Sequence, residues 1–220
     1  MAGTAKRGKL RHIEVEHKYV VGPTFDAGKL RNRLRGLNCL KDFSVSVRDD
    51  YYWSSKFPTS ILRHRFDEQL QQLTLKTRGL AADARTEVNL GLDHNGGDQR
   101  DGVGAFLGNL TDFQRVTIQK SVTIFLFRDC EICFYAAKCG RKKIRCVEFE
   151  AIRKTTLKAA RDTIKKYEDA AGFGREKREG RSLFEMLVVP ALKNKRSTTS
   201  PKKSSSYFSK RDKSQRKDQQ

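Results

Sequence analysis

Between residues 12 and 21 hydrophobic and polar positions alternate, with Ile13, Val15 and Tyr19 on one side and Glu14, Glu16 and Lys18 on the other. Successive side chains of an extended chain point to opposite faces, so this period of two predicts a β-strand. Gly22-Pro23-Thr24 interrupts the pattern, and the looser spacing of Leu30, Leu34 and Leu37 predicts a helix over 25–37. Strand patterning resumes from Phe43 through Val45, Val47, Tyr51 and Trp53, then over 61–66, 73–78 and 85–90. The Asn/Gly/Asp-rich stretch 93–104 predicts an exposed loop, followed by a short helix over 105–110. Three more β-rich runs cover 113–126, 131–137 and 144–152, which brings the expected total to about eight strands.

The clearest helical signal follows them. Leu157, Ala160, Ile164 and Tyr167 fall on one stripe, Thr155 or Thr156 offers an N-cap, and Gly172 offers a C-terminal stop. A short apolar stretch, 183–192, then precedes a segment of Ser, Thr, Lys, Arg and Gln that lacks the apolar content to build a core. The expected organisation is a basic leader (1–11), one domain (12–192) and a disordered basic tail (193–220). A chain of 220 residues at 37% hydrophobic content suits one principal domain.

Charge narrows the partner. The chain carries a net +20; ten Lys/Arg against two Asp in 191–220 account for +8, which leaves +12 on the rest. Both parts attract polyanions, and RNA or another polyanion is the expected partner of the tail. Five cysteines, an odd number with no secretory leader ahead of them, predict a reduced cytoplasmic protein. No apolar run approaches the roughly 20 residues of a spanning helix, so membrane insertion is not expected.

Five strands carry charged pairs at i, i+2: Glu14 and Glu16, Arg63 and Arg65, Lys76 and Arg78, Arg85 and Glu87, Glu148 and Glu150. Each pair shares a face, while Val15, Leu62, Phe66, Leu75, Val147 and Phe149 supply the opposite one. A single solvated sheet face explains one such strand. An ordered series of five predicts a barrel with the charges in its lumen and the apolar face outside, under packed helices. The expected fold class is α+β, an eight-stranded antiparallel β-barrel with helices packed outside. Like charges are enclosed only where counter-charges compensate them. Carboxylates suit a hard divalent cation, Mg²⁺ or Mn²⁺, and Arg63, Arg65, Lys76 and Arg78 suit phosphate oxygens.

The series Glu14-x-Glu16-x-Lys18, Arg63-x-Arg65, Lys76-x-Arg78, Arg85-x-Glu87, Lys120 and Glu148-x-Glu150 resembles the CYTH family of triphosphate tunnel metalloenzymes. Asp49-Asp50-Tyr51-Tyr52 is similar to that family's Asp-x-Tyr-Tyr strand, and 181–187 to its C-terminal Ser-Tyr-Leu-Glu-Leu-Leu stretch. The resemblance implies a triphosphate-binding tunnel in which Glu14, Glu16, Glu148 and Glu150 are the catalytic metal ligands and Glu87 assists a metal or braces Arg85. It implies phosphate contacts from Lys18, Arg63, Arg65, Lys76, Arg78, Arg85 and Lys120, and hydrolysis of the terminal phosphoanhydride of an inorganic or organic triphosphate. Family activities also include class IV adenylyl cyclase; an RNA 5′-triphosphatase, removing the terminal phosphate of triphosphate-ended RNA, and non-catalytic polyphosphate or nucleotide binding are further readings. The family's acidic position on the penultimate strand falls near Tyr135, the basic position after Lys120 is Val122, and Trp53 replaces an Asp. Lys120 shares its parity with Ile118 and Val122, so it is expected to need a β-bulge to reach the lumen.

Other motifs carry less. Cys130-x-x-Cys133 with Cys139 and Cys146 has an irregular second spacing and favours buried thiols over zinc. Gly102-x-Gly104 lacks a third glycine and a preceding strand. His17 and His64 point away from the charged face, and Tyr51, Tyr52 and Trp53 are expected as core aromatics.

Overall fold

The computed structural model describes residues 12–77, 83–93, 97–110 and 113–192, with the backbone alone for 97–99. The expected leader and tail therefore lie outside the described residues. Eight strands form the body: β1 (Ile13–Val20), β2 (Lys41–Trp53), β3 (Ser60–Phe66), β4 (Gln71–Thr77), β5 (Ala84–Leu92), β6 (Gln114–Leu126), β7 (Cys130–Cys139) and β8 (Lys142–Ala151). They close into an antiparallel barrel in the order β1-β5-β4-β3-β2-β6-β7-β8, with β8 paired back to β1. Three helices accompany it: α1 (Ala27–Arg35), α2 (Gly97–Asn109) and α3 (Leu157–Ala171). A last helical segment, 183–192, is wound as a π-helix over Phe184–Val188. The α+β barrel expected from the strand pattern is the observed fold.

Local chemistry sets the helix ends. The Asp26 carboxylate accepts from the Lys29 amide at 3.0 Å to start α1, and the Thr156 hydroxyl accepts from the Ala159 amide at 3.1 Å to start α3. Gly172 closes α3 with φ at +85°, a left-handed conformation that glycine adopts without a Cβ clash. α2 begins earlier than the glycine-rich sequence suggests. Leu107 is buried, and the Arg100 guanidinium sits 4.6 Å from the Phe66 ring centre, so packing on the barrel overrides weak helix propensity.

Two apolar clusters hold the molecule together. The first lies outside the barrel, where Val15, Tyr19, Ile132, Val147 and Phe149 meet Leu30 and Leu34 of α1 and Ala160, Ile164 and Tyr167 of α3. The second lies inside it. Val47 and Tyr51 of β2, Val116, Ile118 and Val122 of β6, and Tyr135, Ala137 and Cys139 of β7 face the lumen, where Leu183, Phe184, Leu187, Val188 and Leu192 pack against them. The expectation that apolar side chains line only the outer surface is thus corrected. Helices cover the outside of β1, β7 and β8, so apolar residues are stable there. On β6 the outer positions Gln119 and Ser121 are exposed, and the apolar residues turn inward onto 183–192. Among the described residues no helix is long and apolar enough to cross a membrane.

Candidate active site

The charged half of the lumen is built by strand register. Glu16 stands opposite Glu150, Lys18 opposite Glu148, Glu14 opposite Arg85, Lys76 opposite Glu87, and Asp49 opposite Arg65. Directly opposed residues of an antiparallel pair point to the same side, so all of these groups but the fully buried Asp49 line one cavity of about 1080 Å³. Glu14, Glu16, Lys18, Arg63, Arg65, Lys76, Arg85, Glu87, Lys120, Glu148 and Glu150 all line it. Arg78 lies outside the described residues.

Lys120 reaches the lumen without a bulge. β2 and β6 pair without interruption from Lys41↔Leu126 to Trp53↔Gln114, and Val47 stands opposite Lys120 on the inner face. Ile118 and Val122 share that face because the wall is apolar there, and the Lys120 ammonium lies 2.6 Å from Asp49 Oδ2. Asp49 is wholly buried and also accepts from Arg65 Nε at 2.8 Å and Nη2 at 3.1 Å.

Most carboxylates in the tunnel have cations beside them. Lys76 Nζ lies 3.1 Å from Glu14 Oε2 and in contact with Glu87; Arg85 Nε lies 3.0 Å from Glu14 Oε2 while its Nη2 contacts Glu16. Lys18 Nζ bridges Glu16 and Glu148 at 3.0 Å each, and the Tyr135 hydroxyl donates to Glu148 at 2.7 Å. Arg63 Nη2 donates to the Thr74 hydroxyl at 3.0 Å and lies 3.5 Å from Glu87. Glu150 differs: no cation among the described residues lies within ion-pair distance of it, and it stands between Glu16 on β1 and Glu131 on β7.

These surroundings shift the acids in opposite directions. Burial, joined by Glu14, Glu131 and Glu16, pushes Glu150 well above the usual carboxylate range. Burial raises Glu14 to about 7, with Glu16 and Glu87 adding to it and Lys76 and Arg85 opposing. At Glu16 and Glu87 burial is outweighed by cations: Lys18, Arg85 and Lys76 hold the first down, and Lys76 and Arg63 hold the second at about 2. Burial lowers Lys120 to about 8, with Arg65 adding to it and Asp49 opposing. A testable sign follows at Glu14. A carboxyl raised from 4.5 to about 7 adds stability below pH 4.5 that is lost as pH rises to 7. In denaturant titrations of metal-free protein, wild type should therefore lose stability relative to Glu14→Gln between those pH values, and the gap should stay constant above pH 7. A gap independent of pH would contradict the assignment.

Glu131, Asp49 and Tyr135 belong to the site, although the sequence reading gives none of them a site role. Strand parity was the available signal, because Glu131 stands four positions before Tyr135 and Asp49 two before Tyr51. Glu131 supplies an acid on the penultimate strand, where the position near Tyr135 has none. His17 and His64 lie outside the lumen: His17 Nδ1 is 2.6 Å from Glu168 of α3, and His64 Nε2 is 3.1 Å from the Gln71 amide nitrogen. Cys130 belongs to the outer cluster and Cys133 to the lumen, so the Cys-x-x-Cys pair faces opposite ways.

No family model matches the chain, and no curated protein is detectably similar in sequence. Solved structures do share its architecture. A conserved hypothetical protein of Pyrococcus furiosus superposes with a TM-score of 0.63 at 20% identity, covering 79% of this chain and 99% of that one. A Vibrio parahaemolyticus protein described as a candidate adenylate cyclase gives 0.58 at 18% identity, covering 82% and 99%. A Hippeastrum protein, described as a candidate adenylyl cyclase with a dominant triphosphatase activity, gives 0.55 at 14% identity, covering 81% and 95%. The protein has the tunnel fold of CYTH-type proteins.

Proposed function

We propose that residues 12–192 form a divalent-metal-dependent triphosphatase that cleaves the terminal phosphoanhydride of an inorganic or organic triphosphate inside the tunnel. One observation carries this reading: six described cations, Lys18, Arg63, Arg65, Lys76, Arg85 and Lys120, line one cavity together with the carboxylates of Glu14, Glu16, Glu87, Glu131, Glu148 and Glu150. Neither a hydrophobic ligand nor an isolated metal would need both sets. The Hippeastrum protein's described activity agrees with it.

The donor set fits Mg²⁺ or Mn²⁺. Burial and acidic neighbours push Glu150 well above the usual carboxylate range, and a cation among Glu14, Glu16, Glu148 and Glu150, with Glu87 assisting, would relieve that strain on its charged form. Such an ion, when bound, would neutralise charge developing on phosphate oxygens. The chain supplies the rest. Arg63, Arg65 and Lys76 spread positive charge along the phosphates and hold the terminal phosphorus in line for attack. Glu14, raised to about 7, can take a proton from the attacking water as the bridging P–O bond breaks and the diphosphate leaves. Lys18, paired to Glu16 and Glu148, fixes those two carboxylates on adjacent strands.

A tunnel that holds a triphosphate without cleaving it has one observation in its favour: among the described residues no three acidic, His or Cys groups converge as a ready-made metal site. Substrate oxygens and water complete the coordination shell in the hydrolytic reading. The two separate in one assay. Inorganic triphosphate, ATP, thiamine triphosphate and triphosphate-ended RNA are each incubated with Mg²⁺ or Mn²⁺, with and without chelator. Chelator-sensitive release of one phosphate per triphosphate supports hydrolysis. Saturable binding without phosphate release from any of the four refutes it, and cyclic AMP from ATP would make the protein a cyclase.

A further inference from the structure

The tunnel cavity is larger and more varied in its lining than a bare triphosphate needs. At about 1080 Å³ it reaches the upper end of the range of about 300–1,000 Å³ that small-molecule sites span. One stretch of its wall is apolar and aromatic: Tyr51, Trp53, Pro58, Ile61 and Phe184 all border it. A polyphosphate gains nothing from such surface, whereas an organic group that covers it gains the burial of apolar area.

Strand register ties this stretch to cations that suit phosphate. Tyr51 stands directly opposite Arg63, so Trp53, two residues on, and Ile61, two residues back, are the next inward positions on the same two strands. On its other side Ile61 stands directly opposite Lys76. Phe184, from the segment packed inside the barrel, lies against this corner, its ring centre 5.8 Å from that of Tyr51. A group attached to phosphates held by Arg63 and Lys76 would therefore meet Trp53 and Ile61 one step, about 7 Å, along the strands. Tyr51 and Tyr52 are buried as core aromatics, but Trp53 is half-buried and keeps surface toward the cavity. Val45 and Ile124 also border the cavity, yet Ile124 stands opposite Cys133, two residues from Glu131 on the same face, where phosphates would meet negative charge.

We propose that the tunnel's substrate is a triphosphate ester of a flat heteroaromatic group, and that Trp53 selects it by stacking on that group while Ile61 and Phe184 border it and Arg63 and Lys76 hold the phosphates. This narrows the substrate class of the triphosphatase reading, on which it rests. Indole offers a large rigid face at low conformational cost, and stacking accepts any flat ring. Trp53 thus separates such esters from inorganic triphosphate without choosing among rings.

Trp53 is the chain's single tryptophan, so the emission of the wild-type protein reports this position directly. The full chain is mixed with Mg²⁺ and, in turn, ATP, GTP, thiamine triphosphate and inorganic triphosphate. At least one of the three esters should change the emission saturably, and inorganic triphosphate much less; which ester responds separates nucleotides from thiamine. Trp53→Ala should raise that ester's KM, relative to the KM for inorganic triphosphate, by about 5- to 150-fold, the loss of one stacked ring, and Trp53→Phe should restore part of it. The ratio is internal to each variant, so a general loss of stability does not imitate it. Should Trp53→Ala fail to fold, the wild-type emission still decides. An unchanged ratio in Trp53→Ala, or wild-type emission that responds to none of the esters, overturns the proposal. If no compound releases phosphate, the hydrolytic reading fails instead, and the same ratio taken from calorimetric Kd values decides between ester and bare triphosphate.

Discussion

Replacing Glu150 with glutamine should abolish metal-dependent phosphate release while making the metal-free protein more stable. The two effects share one cause. Glu150 lies between Glu16 and Glu131 with no described cation to offset it, so its carboxylate is costly in the empty tunnel and useful only when a cation is present. Glutamine keeps the shape, removes the repulsion and removes a hard oxygen ligand. Loss of several kcal/mol of charge stabilisation in the transition state corresponds to roughly 10³-fold or more in turnover. Glu14→Ala and Glu148→Ala should lose turnover on the same scale. Initial rates with saturating Mn²⁺, and melting temperatures of the chelated proteins above pH 7, measure both sides. Near-normal turnover in Glu150→Gln, or a lower melting temperature, would contradict the role assigned to it.

The second large effect is expected at Asp49. This carboxylate is wholly buried between Arg65 and Lys120, whose ammonium and guanidinium are themselves enclosed in the tunnel wall. Asp49→Ala leaves two neighbouring cations without their shared anion, and breaking such a buried pair costs about 3–5 kcal/mol. For a chain of this size that lowers the melting temperature by roughly 6–20 °C. Lys120, already lowered to about 8, should fall further once Asp49 no longer supports its charged form. The triple variant Asp49→Leu/Arg65→Leu/Lys120→Met replaces the whole network by apolar groups of similar bulk. It should recover most of the lost stability while binding inorganic triphosphate much more weakly, as measured by calorimetry. A triple variant that binds as wild type does would remove Arg65 and Lys120 from the phosphate site.

The strand that begins at Ile13 was legible because its code is local. Glu14, Glu16 and Lys18 repeat every second residue, and β1, β3, β4, β5 and β8 all send their charged positions into one cavity. The face that an apolar alternation turns inward is not local information. On β6 the same period of two places Ile118 and Val122 inside because 183–192 packs within the barrel end, and no residue of β6 encodes that distant contact. Lys120 illustrates the consequence. Its apolar neighbours suggested the wrong face and a bulge, whereas the uninterrupted β2–β6 register carries it inward opposite Val47. Glu131 is readable from parity alone, since it stands four positions before Tyr135 on the same face of β7. α2 was shortened for the opposite reason, since its glycines speak for a loop and its anchors, Leu107 and Arg100 against Phe66, speak only in the folded molecule.

Diffraction from crystals grown with Mn²⁺ and inorganic triphosphate, recorded at a wavelength where manganese scatters anomalously, reads the central claim most directly. The account predicts an anomalous peak beside Glu150 with phosphate density running among Arg63, Arg65 and Lys76. Manganese bound only on the outer surface, with water alone between those side chains, would contradict it.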